Sequence, residues 1–409
     1  LLLAAHGAAA CQADPSITPE GQAPAATPTA ADDAATGTVL FTLDHNRMIA
    51  EVEFVRPDGS IRRASAWVDT GNQYLIVSEP LAQELGLEAT GLEPGGHSVE
   101  SASPAPPVRL GGLSLAVDGV RTRVHPGDRV RPGVPAEANL PASLLKHEHV
   151  IFDYLTQRLT VARPGTLEPE GVAIPCRVNP DTGLFMIAAT IDGDTVPMGV
   201  DTGSAGTWIS TDLTSEWGAR HPDWPHATGA AGSTNFFGSQ LEPTGILMRL
   251  PELRLGTLDV GDVATLGLAQ SLFDWYSEKS AGAVSGWIGA NVLRHFRLEV
   301  DFPGGMTYWE QGDAVYGEDL DIVGLTLRPE EDNSLTIVGV VMIDGRPVVE
   351  GVRPGDKLIR VGDLDVASAT MGAVVEAMRG RPGDTRTLVI DRDGERITVD
   401  AEVLRLPHR

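Results

Sequence analysis

The tripeptide Asp-Thr-Gly occurs twice in this chain of 409 residues, at Asp69-Thr70-Gly71 and at Asp201-Thr202-Gly203. A carboxylate can take a proton from water, and a carboxylic acid can give one to a leaving group. Two carboxylates about 3 Å apart cannot both ionise, so such a pair shares one proton at mildly acidic pH and does both jobs. Asp69 and Asp201 are therefore the candidate catalytic residues, a dyad that would activate water and whose titration belongs to the pair. Gly71 and Gly203 would let the backbone approach the carboxylates where any Cβ would clash. Alone the tripeptide says little, because Asp, Thr and Gly are ordinary turn residues.

Its weight comes from the repeat around it. Each copy ends a strand-like run, Ala66-Trp67-Val68 or Met198-Gly199-Val200, and leads into an apolar stretch that closes on Ser78 or Ser210. Turn signals precede each copy at Pro57-Asp58-Gly59 and Asp192-Gly193-Asp194. Downstream, Arg109-Leu110-Gly111-Gly112-Leu113 matches Arg254-Leu255-Gly256-Thr257-Leu258. Leu140-Pro141-Ala142-Ser143-Leu144-Leu145 likewise matches Ile288-Gly289-Ala290-Asn291-Val292-Leu293. The offset is 132 residues at the aspartates and 148 at the far ends, a net insertion of 16 in the second copy. Longer loops around Phe236-Phe237 and from Trp275 to Gly286 are where it would fall. The pattern predicts a duplicated, mainly β lobe, residues 39–163 and 172–312, each presenting one aspartate.

Length allows two or three domains, each with a real core. With 31 basic and 56 acidic residues the net charge is -25, which sets the chain against nucleic acid and anionic lipid surfaces. Leu1 to Ala10 is apolar and stops at Cys11, so residues 1–11 read as the end of a truncated signal peptide with Ala8-Ala9-Ala10-Cys11 as a lipobox. The alternative is an ordinary secretory peptide cleaved after one of the alanines. Residues 12–38, rich in Ala, Pro, Thr and Asp, read as a disordered tether. Cys176 reads as a small buried hydrophobe. His147 and His149 lie two apart, but no Cys or further His completes a metal site, and neither metal nor cofactor is expected.

With two such loops in a duplicated β lobe, residues up to 312 resemble the aspartic proteases, between the pepsin-like and retropepsin-like types. Asp201-Thr202-Gly203-Ser204, with Trp208-Ile209 following, is similar to the pepsin active-site signature. The resemblance implies a bilobal, acid-protease-like double β-barrel that hydrolyses peptide bonds in peptides or unfolded proteins. It gives Thr70 and Thr202 the role of tying the two loops together, and it has Ser204 bonding the outer oxygen of Asp201. Asn72 holds the place of Ser204 in the first lobe, a departure that bears on the tuning of the pair. Trp287-Ile288-Gly289 fits the family's apolar-apolar-Gly segment, whereas the first lobe has Asn139-Leu140-Pro141. Proline there removes a backbone donor and fixes φ beside Asp69. Gly95-Gly96-His97-Ser98 and Gly232 to Gly238 are candidate flap tips.

Residues 318–406 fall outside the repeat and resemble a PDZ domain of the bacterial type, on the segment from Gly351-Val352-Arg353-Pro354-Gly355-Asp356 to Val361-Gly362. Gly324-Leu325-Thr326-Leu327 stands where such domains bind a peptide carboxylate, so the resemblance implies that peptide C-termini bind there and that the peptide adds a strand. Strands near Leu335–Met342 and Leu358–Val361, a helix near Thr370–Arg379 and two further strands are expected. The whole then reads as a monomeric aspartic endopeptidase, held by a lipid on Cys11 in a bacterial envelope, periplasmic with a preference for the outer membrane. The rival readings are an inactive peptide-binding lipoprotein that works through the PDZ groove, and a structural scaffold.

Overall fold

Along Arg47–Val55, Met48, Ala50, Val52 and Phe54 point into the core while Glu51 and Glu53 face outward, the period-two pattern of a half-buried strand. The partner strand, Ile61–Asp69, pairs with it antiparallel from Ile49↔Trp67 to Val55↔Ile61. Gly59, at φ 84, supplies the turn between them. The second lobe repeats this hairpin with Phe185–Ile191 and Asp194–Val200, turned at Asp192 and Gly193 with φ 53 and 78. The computed structural model describes residues 34–89, 99–101, 103–230, 245–312 and 320–407. Cys11 and its lipobox, the tether up to residue 33 and both candidate flap tips lie outside these residues.

The apolar runs after each Asp-Thr-Gly form short strands, Leu75–Ser78 and Thr207–Ser210. Each closing serine caps a helix, Ser78 Oγ accepting from Leu81 N–H and Ser210 Oγ from Leu213 N–H. In each lobe the aspartate-bearing strand also has a parallel neighbour. Ala138–Pro141 pairs with Ala66 to Asp69, and Gly286–Ile288 pairs with Met198 to Val200. The lobes share a sheet: His149–Asp153 runs antiparallel to Phe296–Asp301, from His149↔Asp301 to Asp153↔Arg297. The insertion in the second lobe includes the helix Gln270–Ser277, which packs Phe273 and Tyr276 against Trp287.

The first lobe starts earlier than expected. Thr36, Gly37 and Thr38, assigned to the tether by composition, belong to a strand running Thr36–Asp44 and pair with Ala162, Val161 and Thr160. Backbone pairing needs no large side chain, and Gly37 lies so close to Leu110 that an added Cβ would stand 1.9 Å from its carbonyl oxygen. Composition alone does not register such a contact.

The third region builds a sheet from Leu325–Pro329, Leu335–Val340, Lys357–Val361, Thr385–Arg392 and Glu395–Glu402. The helix Met371–Met378 covers its core with Val374, Val375 and Met378, the residues whose spacing predicted it. That core also takes in Ala227 and Leu247 of the second lobe. Polar contacts pin the region to both lobes: Gly372 N–H donates to Asp44 Oδ1 at 2.8 Å, and an Arg249 guanidinium N–H donates to Leu406 O at 2.6 Å. Among the described residues no helix is long and apolar enough to cross a membrane. The molecule is mainly β, in two repeated lobes with a smaller mixed region docked on them.

Candidate active site

Asp69 ends its strand, and Asp201 directly follows the strand Asp194–Val200. Each loop then closes the same way, with Asn72 N–H donating to Asp69 O and Ser204 N–H to Asp201 O, both at 3.3 Å. The threonines between them brace the loops crosswise. Thr70 N–H donates to Thr202 Oγ1 at 3.1 Å, and that hydroxyl donates to Val68 O at 2.9 Å. Thr202 N–H in turn donates to Thr70 Oγ1 at 3.0 Å, and Thr70 Oγ1 donates to Val200 O at 2.8 Å. Both threonines are fully buried, so this square of bonds sits in a low dielectric and is costly to break.

Above the brace each carboxyl abuts the loop of the other lobe, which brings the two acids into direct electrostatic contact. The glycines face the opposite aspartate rather than their own. A Cβ on Gly71 would lie 2.3 Å from Asp201 Oδ2, and one on Gly203 would lie 2.3 Å from Asp69 Oδ1. Asp69 is 6% exposed and Asp201 3%. Burial holds the Asp69 carboxyl well above the ordinary carboxylate range, reinforced by the Asp201 charge and opposed by Arg131 and the Gly71 N–H. Burial also pushes Asp201 up, to about 6, against the hydrogen bonds it accepts from the N–H groups of Gly203 at 2.8 Å and Ser204 at 3.1 Å. Asp201 thus accepts two backbone N–H groups, while the titration belongs to the pair.

Ser204 departs from the expected role. Its backbone N–H reaches Asp201, but its Oγ donates to Gly206 O at 2.7 Å and accepts from Trp208 Nε1. Asn72 likewise turns its side chain away from the carboxylate, Oδ1 accepting from Tyr74 N–H at 3.1 Å. Both residues shape their own loop by local side-chain to backbone bonds.

Pro141 is accommodated by a matched change. In the second lobe Gly289 N–H donates to Thr207 Oγ1 at 3.2 Å. The first-lobe counterparts are Pro141, which has no N–H, and Leu75, which has no hydroxyl, so donor and acceptor are lost together. Pro141 (φ -81, ψ 163) and Gly289 (φ -101, ψ -179) are both extended and both precede a four-residue helix. The next N–H reaches the dyad loop in either lobe, Ala142 to Asn72 O at 2.9 Å and Ala290 to Ser204 O at 2.8 Å. Trp67 and Trp287 are exchanged in similar fashion: Trp67 pairs with Asn139, and Gly199 with Trp287, so opposite strands supply the aromatic.

Gly324, Leu325, Thr326 and Leu327 lie at the start of the edge strand of the third region and line a cavity of about 220 Å³. Gly203 and Ala205 of the second dyad loop line the same cavity, as do Arg47 and Arg131 of the first lobe. The sequence carried no signal for these arginines, because nothing local distinguishes them from surface arginines. Arg47 is 6% exposed and lies over the Trp67 ring, 5.9 Å from its centre. Cys176 is buried, and burial raises its thiol to about 12.

No family model matches the chain, and no curated protein does. Among solved structures, an aspartic proteinase from Irpex lacteus aligns with 68% of this chain and 98% of its own, at 14% identity and a TM-score of 0.41.

Proposed function

We propose that the chain is an aspartic peptidase in which Asp69 and Asp201 together activate water. The observation that carries this reading is the pair of buried carboxyls, each set against the other lobe's Asp-Thr-Gly loop above the Thr70/Thr202 brace. In the reaction the water oxygen bonds to the scissile carbonyl carbon. One water proton passes to the ionised member of the pair, while the protonated member donates its own to the carbonyl oxygen. Collapse of the tetrahedral intermediate breaks the C–N bond, and the amine leaves with a proton from the pair. The third region, read as a PDZ domain, would hold peptide carboxylates at Gly324 to Leu327, and a lipid on Cys11 would keep the enzyme at a bacterial membrane.

The test is hydrolysis of an unfolded protein between pH 3 and 8 by the wild type, Asp69→Asn and Asp201→Asn. Each substitution should lower the rate by about 10²–10⁴-fold. Wild-type activity should climb as pH rises toward about 6, where the pair first ionises, and fall once the second proton leaves. A wild type that melts cooperatively yet cleaves nothing at any pH would remove the peptidase reading.

A further inference from the structure

We propose that Asn46, in the first turn of the first lobe, is a positioning residue for catalysis: it crosses to the other lobe and holds the second dyad loop in its working geometry. This rests on the peptidase reading. Three consecutive carbonyls follow Gly203, and each is held by a different donor. Ser204 O accepts from Ala290 N–H at 2.8 Å and Gly206 O from Ser204 Oγ at 2.7 Å, both within the second lobe. Between them, Ala205 O accepts from Asn46 Nδ2 at 3.2 Å, a contact that spans 159 positions of sequence.

The other end of the amide is held too, because Arg294 Nη1 donates to Asn46 Oδ1 at 3.3 Å. A guanidinium only donates and a carbonyl only accepts, so these partners fix which way the amide faces. Arg294 follows the short helix Ala290–Leu293, whose first N–H grips Ser204 O, so loop, helix and Asn46 close a ring. Lys146 holds the matching place in the first lobe and also crosses over, onto the carbonyls of Pro180 and Asp181, both at 2.9 Å. Counting back from the matched strands, Leu184 takes the place of Asn46 in the second lobe, and its side chain can pass on no hydrogen bond. The simpler role for Asn46 is the turn itself. Asp44 pairs with Arg47, and His45 and Asn46, at φ 50 and 63, form a two-residue hairpin turn that favours asparagine. Turn geometry, however, asks nothing of the two ends of the amide. The turn is also clamped by the third region: Asp44 Oδ1 accepts from Gly372 N–H at 2.8 Å, and an added Cβ on Gly372 would stand 2.6 Å from His45 N. Asn46 thus reaches the loop from a fixed base. What the loop supplies in turn is the two N–H groups, of Gly203 and Ser204, that Asp201 accepts.

The test compares the full-length wild type with two variants. Asn46→Gly keeps the turn and deletes the amide, whereas Asn46→Asp keeps turn and shape but faces Ala205 O with a second oxygen. Both should lower kcat about 10–100-fold and leave KM within about twofold. The acidic limb of the pH profile should move to higher pH, because a slackened loop withdraws the N–H donors that favour ionised Asp201. Hydrogen exchange of the peptide covering residues 201–208 should quicken. An aspartate variant as active as the wild type would show that only the turn matters and would overturn the proposal. A lower kcat with an unmoved acidic limb would overturn it as well. Should the glycine variant fail to fold, the aspartate variant decides. A folded wild type that cleaves nothing rejects the peptidase reading, and exchange then judges the brace alone: faster exchange in the variants keeps Asn46 as the support of that loop, and equal rates reject it.

Discussion

Gly71 and Gly203 show why the tripeptide must end in glycine, and the reason is intermolecular in style though both partners belong to one chain. Each glycine leaves room for the carboxylate of the other lobe, so a methyl group at either place separates the pair. Gly203→Ala should cost about 1–3 kcal/mol in thermal or denaturant unfolding and abolish measurable hydrolysis. The dyad also sets a pH dependence of stability. Both carboxyls are pushed up by burial, so the contribution is fully present below the ordinary carboxylate range and is lost as pH rises through the raised range of the pair, about 6 for Asp201. Asp201→Asn carries no such charge. Its stability relative to the wild type should therefore grow by about 2–3 kcal/mol between pH 4 and pH 8, read from melts at both values. A constant difference would mean that the carboxyls titrate normally. The identity of these residues was legible from the sequence because duplicated context singled them out. The side-chain roles of Ser204 and Asn72 were not, since a hydroxyl or amide two residues from several backbone groups has more than one partner within reach.

At the scale of elements, the parallel strands Ala138–Pro141 and Gly286–Ile288 fix the dyad loops from below, and the two lobes solve the same packing problem with different residues. Gly289 sits 1.9 Å, measured to an added Cβ, from Gly206 O. Gly289→Ala should accordingly destabilise the protein by about 1–3 kcal/mol and slow hydrolysis. Pro141→Ala tests the other solution. It would expose an N–H beside Leu75, where no hydroxyl waits, and should cost about 1–2 kcal/mol rather than improve the site. A gain in stability from that change would show that proline strains the first lobe. The exchange of donor and acceptor between lobes is invisible in one copy read alone. It follows only when residues 75 and 141 are known to be neighbours.

For the whole molecule, the sheet shared by the lobes carries a buried cluster: Glu299 accepts from His149 Nε2 at 3.0 Å, from Glu170 N–H at 3.1 Å and from Arg297. Burial pushes its carboxyl up, but the hydrogen bonds from His149 and Arg297 outweigh that and leave it below the ordinary value. Its contribution is thus present above the usual glutamate range and lost as pH falls below it, opposite in sign to the dyad. The third region depends on Asp44, whose carboxylate caps the start of the helix Met371–Met378 through Gly372. Asp44→Ala should cost about 1–2 kcal/mol and speed amide exchange in that helix, read by hydrogen-exchange mass spectrometry. Unchanged exchange would show that the apolar contacts of Ala227 and Leu247 hold the region by themselves.

The sequence by itself determined what repeats and what is local: two Asp-Thr-Gly loops, the strands that lead into them, the serines that cap the helices beyond, and the apolar face of the last helix. Such features are written within a few residues of one another and follow from periodicity, capping and turn chemistry. Tertiary structure alone decided which residues meet across long stretches of chain. It brought Asp69 against Gly203, paired the absence of a donor at Pro141 with the absence of an acceptor at Leu75, and gathered Arg47, Arg131 and Arg379 around one cavity. The physical reason is that burial, electrostatic shift and steric fit depend on neighbours in space, and those neighbours are fixed only when the strands have paired and the lobes have closed on one another.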